Sequence, residues 1–256
     1  MRVDDVRRGA LVIALVALGV WTGLTGASVE AAEIKVLSTV GMQPATVELF
    51  KSFEAATGHK ILVTYGLAAV LRTSVLEGAS ADVLILTSAT IDDLVKGGKV
   101  VAATKTDVAR SGVGVGVKAG APKPNIGTPE ALKRTLVAAK SIGYSREGAS
   151  GVAFARAVER LGLTEQVAAK YKDTGTKAGE MVAGGEIELA AAQIPELLAV
   201  PGVDVVGPLP AELQTTTIFS IGLGTEAKDP AAGRALIEFL AGPRAAPVYK
   251  AKGLGG

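Results

Sequence analysis

Residues 81–87 read ADVLILT. Val83, Leu84, Ile85 and Leu86 are consecutive apolar residues, so a strand built from them has no face suited to water. Such a strand belongs at the centre of a parallel sheet covered by helices on both sides. Upstream, Ile34–Thr39 (IKVLST) and Ile61–Tyr65 read as further strands. Between them a helical pattern opens at Pro44, sets Val47, Phe50 and Phe53 on one face, and stops at Gly58. Ala68–Glu77 and Ile91–Lys96 read as the next two helices. This alternation predicts an α/β fold with mixed, mostly parallel sheets and helices on both faces.

Downstream, Ser111–Lys118 (SGVGVGVK) alternates small and apolar residues and reads as a strand crossing out of the first sheet. Thr128 caps a helix running to Lys140, followed by strand Ser141–Ser145 and helix Gly151–Leu161. A helix from Thr164, a helix around Lys177–Ala183, and strands Ile187–Ala192 and Val203–Val206 come next. Thr215–Leu223 (TTTIFSIGL) reads as the return crossing, and Asp229-Pro230 opens a last long helix over Ala231–Leu240. Two crossovers predict two lobes with a cleft between them. Residues 32–112 and 216–256 form lobe 1 and residues 113–215 lobe 2.

The first 31 residues are expected to be a secretory signal peptide. Arg2, Arg7 and Arg8 precede the uncharged run Gly9–Gly26, and Val29-Glu30-Ala31 suits cleavage after Ala31. A retained N-terminal anchor is the competing expectation, and the Arg7-Arg8 pair leaves Sec and twin-arginine export both open. Cleavage takes three basic and three acidic residues from totals of 27 and 25, leaving 24 against 22. That near-neutral balance gives no electrostatic footprint for nucleic acid. The chain has no cysteine, which excludes disulfides, thiolate chemistry and a lipid-modified N-terminal cysteine. A processed, unanchored protein is therefore expected to be a periplasmic monomer.

Gly41-Met42, the segment Ala55–Lys60, Tyr65-Gly66 and Glu77–Val83 (EGASADV) are similar to the N-terminal lobe of molybdate-binding-like periplasmic proteins. Ser145–Gly151 with the helix behind it, Pro201–Leu209 (PGVDVVGPL) and Asp229–Leu240 continue the likeness across nearly the whole processed chain. The resemblance implies a two-lobed type II periplasmic-binding-protein-like fold. It also implies a small anionic ligand held by hydroxyls and main-chain N–H groups, and an ABC transporter permease as partner. No cofactor is implied. Carried over, the first-turn serine of the family falls near Gly41, the second-turn serine near Ala68 or Ala69, and a tyrosine near Gln193. These departures put molybdate itself in doubt and leave an organic carboxylate open.

Among the residues themselves, the helix start at Ser150-Gly151 is the first candidate. Its leading N–H groups lack intrahelical partners and attract an anion. The competing expectation is that Ser150 merely caps its own helix. Gly41-Met42 is read as a facing anion nest or as a tight βα turn. Tyr65-Gly66 ends a strand at the rim where α/β sheets place ligands, although Tyr65 also suits a core aromatic. Arg72, Arg146 and Lys177 are the nearest cations, better matched to a carboxylate than to an oxyanion. His59 is expected at the surface beyond a helix end, and Asp92-Asp93 facing solvent. No cluster has metal-ligand spacing, and Gly112–Gly116 (GVGVG) is a strand rather than a phosphate loop. The leading function is ligand binding without catalysis. The alternative is an isomerase acting on a tricarboxylate such as aconitate on the same scaffold.

Overall fold

A computed structural model describes residues 31–255; the expected leader, but for Ala31, lies outside them. In chain order the first strands and helices are β1 (Glu33–Thr39), α1 (Gln43–Thr57), β2 (Lys60–Gly66), α2 (Ala68–Leu76), β3 (Val83–Thr87), α3 (Ser88–Lys96) and β4 (Thr106–Ser111). Then follow β5 (Val113–Lys118), α4 (Pro129–Ala138), β6 (Ile142–Tyr144), α5 (Ala149–Arg160), α6 (Thr164–Ala168), β7 (Tyr171–Asp173) and α7 (Ala178–Gly184). The chain ends with β8 (Leu189–Gln193), α8 (Ile194–Leu198), β9 (Val203–Pro208), β10 (Thr217–Leu223), α9 (Pro230–Ala241) and α10 (Ala246–Ala251).

Among the described residues ten strands form two five-stranded sheets, ordered β2-β1-β3-β10-β4 and β7-β6-β8-β5-β9. The expected two-lobed α/β architecture is what the chain adopts. Strand β3, carrying the VLILT run, is the middle strand of its sheet and runs parallel to β1. Its alternate residues feed two separate cores. Val83 and Ile85 pack with Phe50, Phe53 and Leu236, while Leu84 and Leu86 pack with Leu71, Ile91 and Leu94. The second sheet is likewise covered on both faces. Phe154 and Leu132 lie on one side, Val182 and Leu197 on the other.

The chain changes sheets at Gly112. The single strand expected over Ser111–Lys118 is instead two strands: β4 ends at Ser111 in the first sheet, and β5 starts at Val113 in the second. A Cβ on Gly112 would lie 2.8 Å from the Gln214 amide nitrogen, so a side chain there would displace the Gln214 amide. Gln214 fastens them: its Oε1 accepts from the Val113 N–H at 2.8 Å, and its Nε2 donates to the Val113 carbonyl at 2.9 Å.

His59 is not at the surface. It is 4 % exposed, its ring stacks on Phe53 at 5.8 Å, and its Nδ1 accepts from the Ala32 N–H at 3.0 Å. The left-handed Gly58 at the end of α1 turns the chain inward there. Edge strands β4 and β7 and the five-residue α8 are elements the sequence pattern did not reveal.

Phe154 is 1 % exposed and sits between α5 and the second sheet. Phe154→Ala is expected to cost about 3–5 kcal/mol, read as a lower denaturation midpoint with an unchanged m-value in chemical unfolding.

Candidate binding site

Helices α2 and α5 come from different sheets, and their N-termini meet. Leu67, immediately before α2, has its Cδ2 3.5 Å from where a Cβ on Gly148, immediately before α5, would stand. Neither helix start carries a side-chain cap. Helices α3, α4 and α9 start elsewhere and are capped by Thr87, Thr128 and Asp229 respectively. Helices α1, α6, α7, α8 and α10 also lack a side-chain cap. Two uncapped starts of opposite lobes facing one space leave several main-chain N–H groups free for an anion, with both dipoles adding positive potential.

The space is a cavity of about 20 Å³, room for one water molecule. Its walls come from five places: Thr39-Val40 after β1, Leu67-Ala68, Ser145 with Gly148–Ser150, Thr174-Gly175 with Ala178, and Ala191–Gln193 with Glu196; Phe219 of β10 closes it. The lining holds no lysine or arginine and a single acid, Glu196.

Gly151 shapes the α5 start from behind. A Cβ there would stand 1.7 Å from the Ser145 carbonyl oxygen, so the turn 145–151 closes only with glycine at this position. Ser145 Oγ accepts from the Gly148 N–H at 3.0 Å, which braces the same turn. Gly148 precedes the helix and Ser150 is its second residue, so Ser150 is not the N-cap. Ser150 is 6 % exposed and lines the cavity.

Two further polar side chains are buried against the cavity with an atom unpartnered. Gln193 is 2 % exposed; its Nε2 donates to Thr217 Oγ1 at 2.8 Å, while its Oε1 has no partner. Turning the amide over would let Thr217 donate to Oε1 and present the two Nε2 donors to the cavity. Thr174 Oγ1, on a residue 5 % exposed, is also unpartnered. Buried polar atoms without partners are uncommon and mark places where a further group is accommodated.

Glu196 stands in the first turn of α8. Its Oε1 lies 3.3 Å from where a Cβ on Gly41 would be, so it reaches across to the turn before α1. It takes part in no hydrogen bond or ion pair among the described residues. Burial, and then the negative charge of Glu180, pushes its carboxyl from an ordinary 4.5 up to about 7.

Of the residues singled out from sequence, Ala68, Ser150 and Gln193 line the cavity. Gly41 abuts Glu196 and Phe219 just behind it. Met42 is fully buried in the first core, so its side chain packs rather than faces the cleft. The Tyr65 hydroxyl is 2.9 Å from Thr46 Oγ1, and burial raises its pKa; Gly66 sits under Leu71. Arg72 forms an ion pair with Asp93 of α3, Nε to carboxylate 3.2 Å, in a half-exposed position. Arg146 lies over the Tyr171 ring at 5.6 Å, and Lys177 is exposed ahead of α7. None of these three cations lines the cavity. Thr174 and Glu196 escaped sequence reasoning. The one available signal for Glu196 was Pro195, which opens a helix directly after β8.

Two mixed sheets, paired crossings and a cleft between opposed helix starts define a two-lobed periplasmic-binding-protein fold of the second type. The chain belongs to the bacterial extracellular solute-binding proteins, whose family model matches residues 34–255. It is 33 % identical over 228 residues to an aconitate isomerase from a Pseudomonas species, covering 86 % of this chain and 87 % of that protein. It is 28 % identical over 251 residues to the molybdate-binding protein ModA of Azotobacter vinelandii, covering 94 % of this chain and 96 % of that one. The solved periplasmic molybdate-binding protein of A. vinelandii superposes with a TM-score of 0.75 at 18 % identity, covering 86 % of this chain and 98 % of that structure. The likeness to molybdate-binding-like periplasmic proteins drawn from the sequence is borne out.

The raised Glu196 pKa has a sign. Between pH 4.5 and 7 the folded chain holds more protons than the unfolded one, so this residue's contribution to stability falls as pH rises through that window. Glu196→Gln is therefore expected to be more stable than the parent by roughly 1–3 kcal/mol at pH 8, with no gain at pH 4, read by urea unfolding at both. Gly151→Ala is expected to lose about 1–3 kcal/mol at either pH through overpacking against Ser145.

Proposed function

We propose that the protein is a periplasmic solute-binding component that clasps a small anion between its lobes and delivers it to an ABC-type permease. The carrying observation is the opposition of the two uncapped starts of α2 and α5 across one cavity. Neutral donors suit an anion that must also be released. Main-chain N–H groups and hydroxyls hold charge without the tight pairing a buried arginine would add. The cavity, with space for one water, admits such a ligand only as the lobes part, and closure around it supplies the form that a permease distinguishes.

A second reading is favoured by the 33 % identity to an aconitate isomerase and by Glu196, a carboxyl with a pKa near neutrality beside the proposed anion site. Moving a double bond within a tricarboxylate requires a group that takes a proton from one carbon and returns one to another. A group titrating near the working pH suits that task.

Thermal unfolding against sulfate, molybdate, citrate and trans-aconitate tests the binding proposal. A ligand at about 1,000-fold over its Kd adds roughly 4 kcal/mol, which for a chain of this size raises Tm by about 8–16 °C. No shift with any of them contradicts it. Proton NMR of trans-aconitate incubated with the protein separates the two readings. New vinyl signals of the cis isomer support the isomerase, and an unchanged spectrum beside a large thermal shift supports binding alone.

A further inference from the structure

Outside the small cavity lies a groove of about 670 Å³, bordered by Gln43, Val47, Glu180, Leu198 and Lys252. The cavity and the groove have two lining residues in common, Val40 and Glu196. These two residues border both spaces, and of their side chains only that of Glu196 is polar. Around this carboxyl the charges do not balance. Glu180 on α7 is the charge that acts on it, and it is of the same sign. Lys252, just past α10, is held by Glu48 of α1 at 3.1 Å. No cation among the described residues reaches Glu196.

An anion entering a space where a carboxylate already stands meets repulsion at close range. A proton placed between them turns that repulsion into a hydrogen bond. The inner wall is built for this. Thr174 Oγ1 and the Gln193 amide, both more than nine-tenths buried, supply neutral groups around the anion, and the helix starts supply N–H donors. Glu196 is then the remaining contact.

Resting on the binding proposal above, we infer that Glu196 is a ligand-contacting residue that shares one proton with the bound anion, so that the site takes up a proton together with each fully ionised ligand. In balance, the anion, the Glu196 carboxylate and one solvent proton give a carboxylic acid donating its hydrogen bond to the anion. An anion that brings its own proton satisfies the same contact without drawing one from solvent. The near-neutral pKa of the free group puts the change within the range a bacterial periplasm meets.

Isothermal titration calorimetry on the full chain tests this, using sulfate, molybdate and trans-aconitate in turn, in Tris and in HEPES, at pH 6 and pH 8. Comparing buffers of different ionisation enthalpy counts the protons taken up. About one proton per anion is expected at pH 8 and close to none at pH 6. The Kd should weaken about tenfold for each pH unit above 7. Glu196→Gln, which keeps a neutral donor in place, should bind with a Kd that changes less than twofold across the range and with no proton uptake at pH 8. If an anion binds the parent protein with no uptake at pH 8, or if Glu196→Gln keeps the parent's pH profile, the assignment is overturned while the binding proposal stands. If none of the three anions binds at either pH, both fall together.

Discussion

The constraint on which this structure rests is the meeting of two helix N-termini from different sheets with no side chain to satisfy them. Each start leaves N–H groups that the helix cannot use, and in most surroundings a Ser, Thr or Asp would take them up. Here α3, α4 and α9 follow that rule; α2 and α5, like α1, α6, α7, α8 and α10, do not, and α2 and α5 are the pair that meet end to end. The backbone around α5 is fitted closely to keep this start in place. Ser145 packs its carbonyl against Gly151 so tightly that no Cβ is admitted. Sheet order does the rest, because β10 returns to the first sheet between β3 and β4, bringing Thr217 and Phe219 against the inner end of β8.

From that constraint the chemistry of the cleft follows. Donors without formal charge surround the cavity, and the cations of the neighbouring turns are engaged elsewhere: Arg72 by Asp93, Arg146 against Tyr171. On the proposed reading, the site recognises charge through dipoles and hydroxyls, and its selectivity depends on geometry and on protons more than on net charge. Glu196 carries the only ionisable side chain in the cavity lining, so protonation of one group alters the character of the whole space.

Much of the fold was legible because it depends on local pattern. The ADVLILT run could be placed at a sheet centre since four consecutive apolar residues allow nothing else, and α9 announced itself through Asp229-Pro230. The edges were not legible. Strand β4 (TDVARS) and strand β7 (YKD) carry polar residues, and their pairing is decided by the neighbours they meet. The cavity lining was legible where a backbone position defines it, at Ser150 and, through register with the family, at Ala68 and Gln193. It was not legible where tertiary partners decide. Nothing near Arg72 in sequence points to Asp93, and nothing in PELL says that Glu196 faces a cavity. His59 follows a helix end, as a surface residue would, yet Gly58 turns it against Phe53.

Backbone amide chemical shifts, followed as sulfate or trans-aconitate is titrated into the protein, test the central claim most directly. The account predicts that the largest changes fall at the N–H groups of residues 67–69 and 149–152 together, in the same titration and with the same Kd. Changes confined to one of these starts, or centred on the outer groove around residues 198–200, would contradict a clasp formed by two opposed helix N-termini.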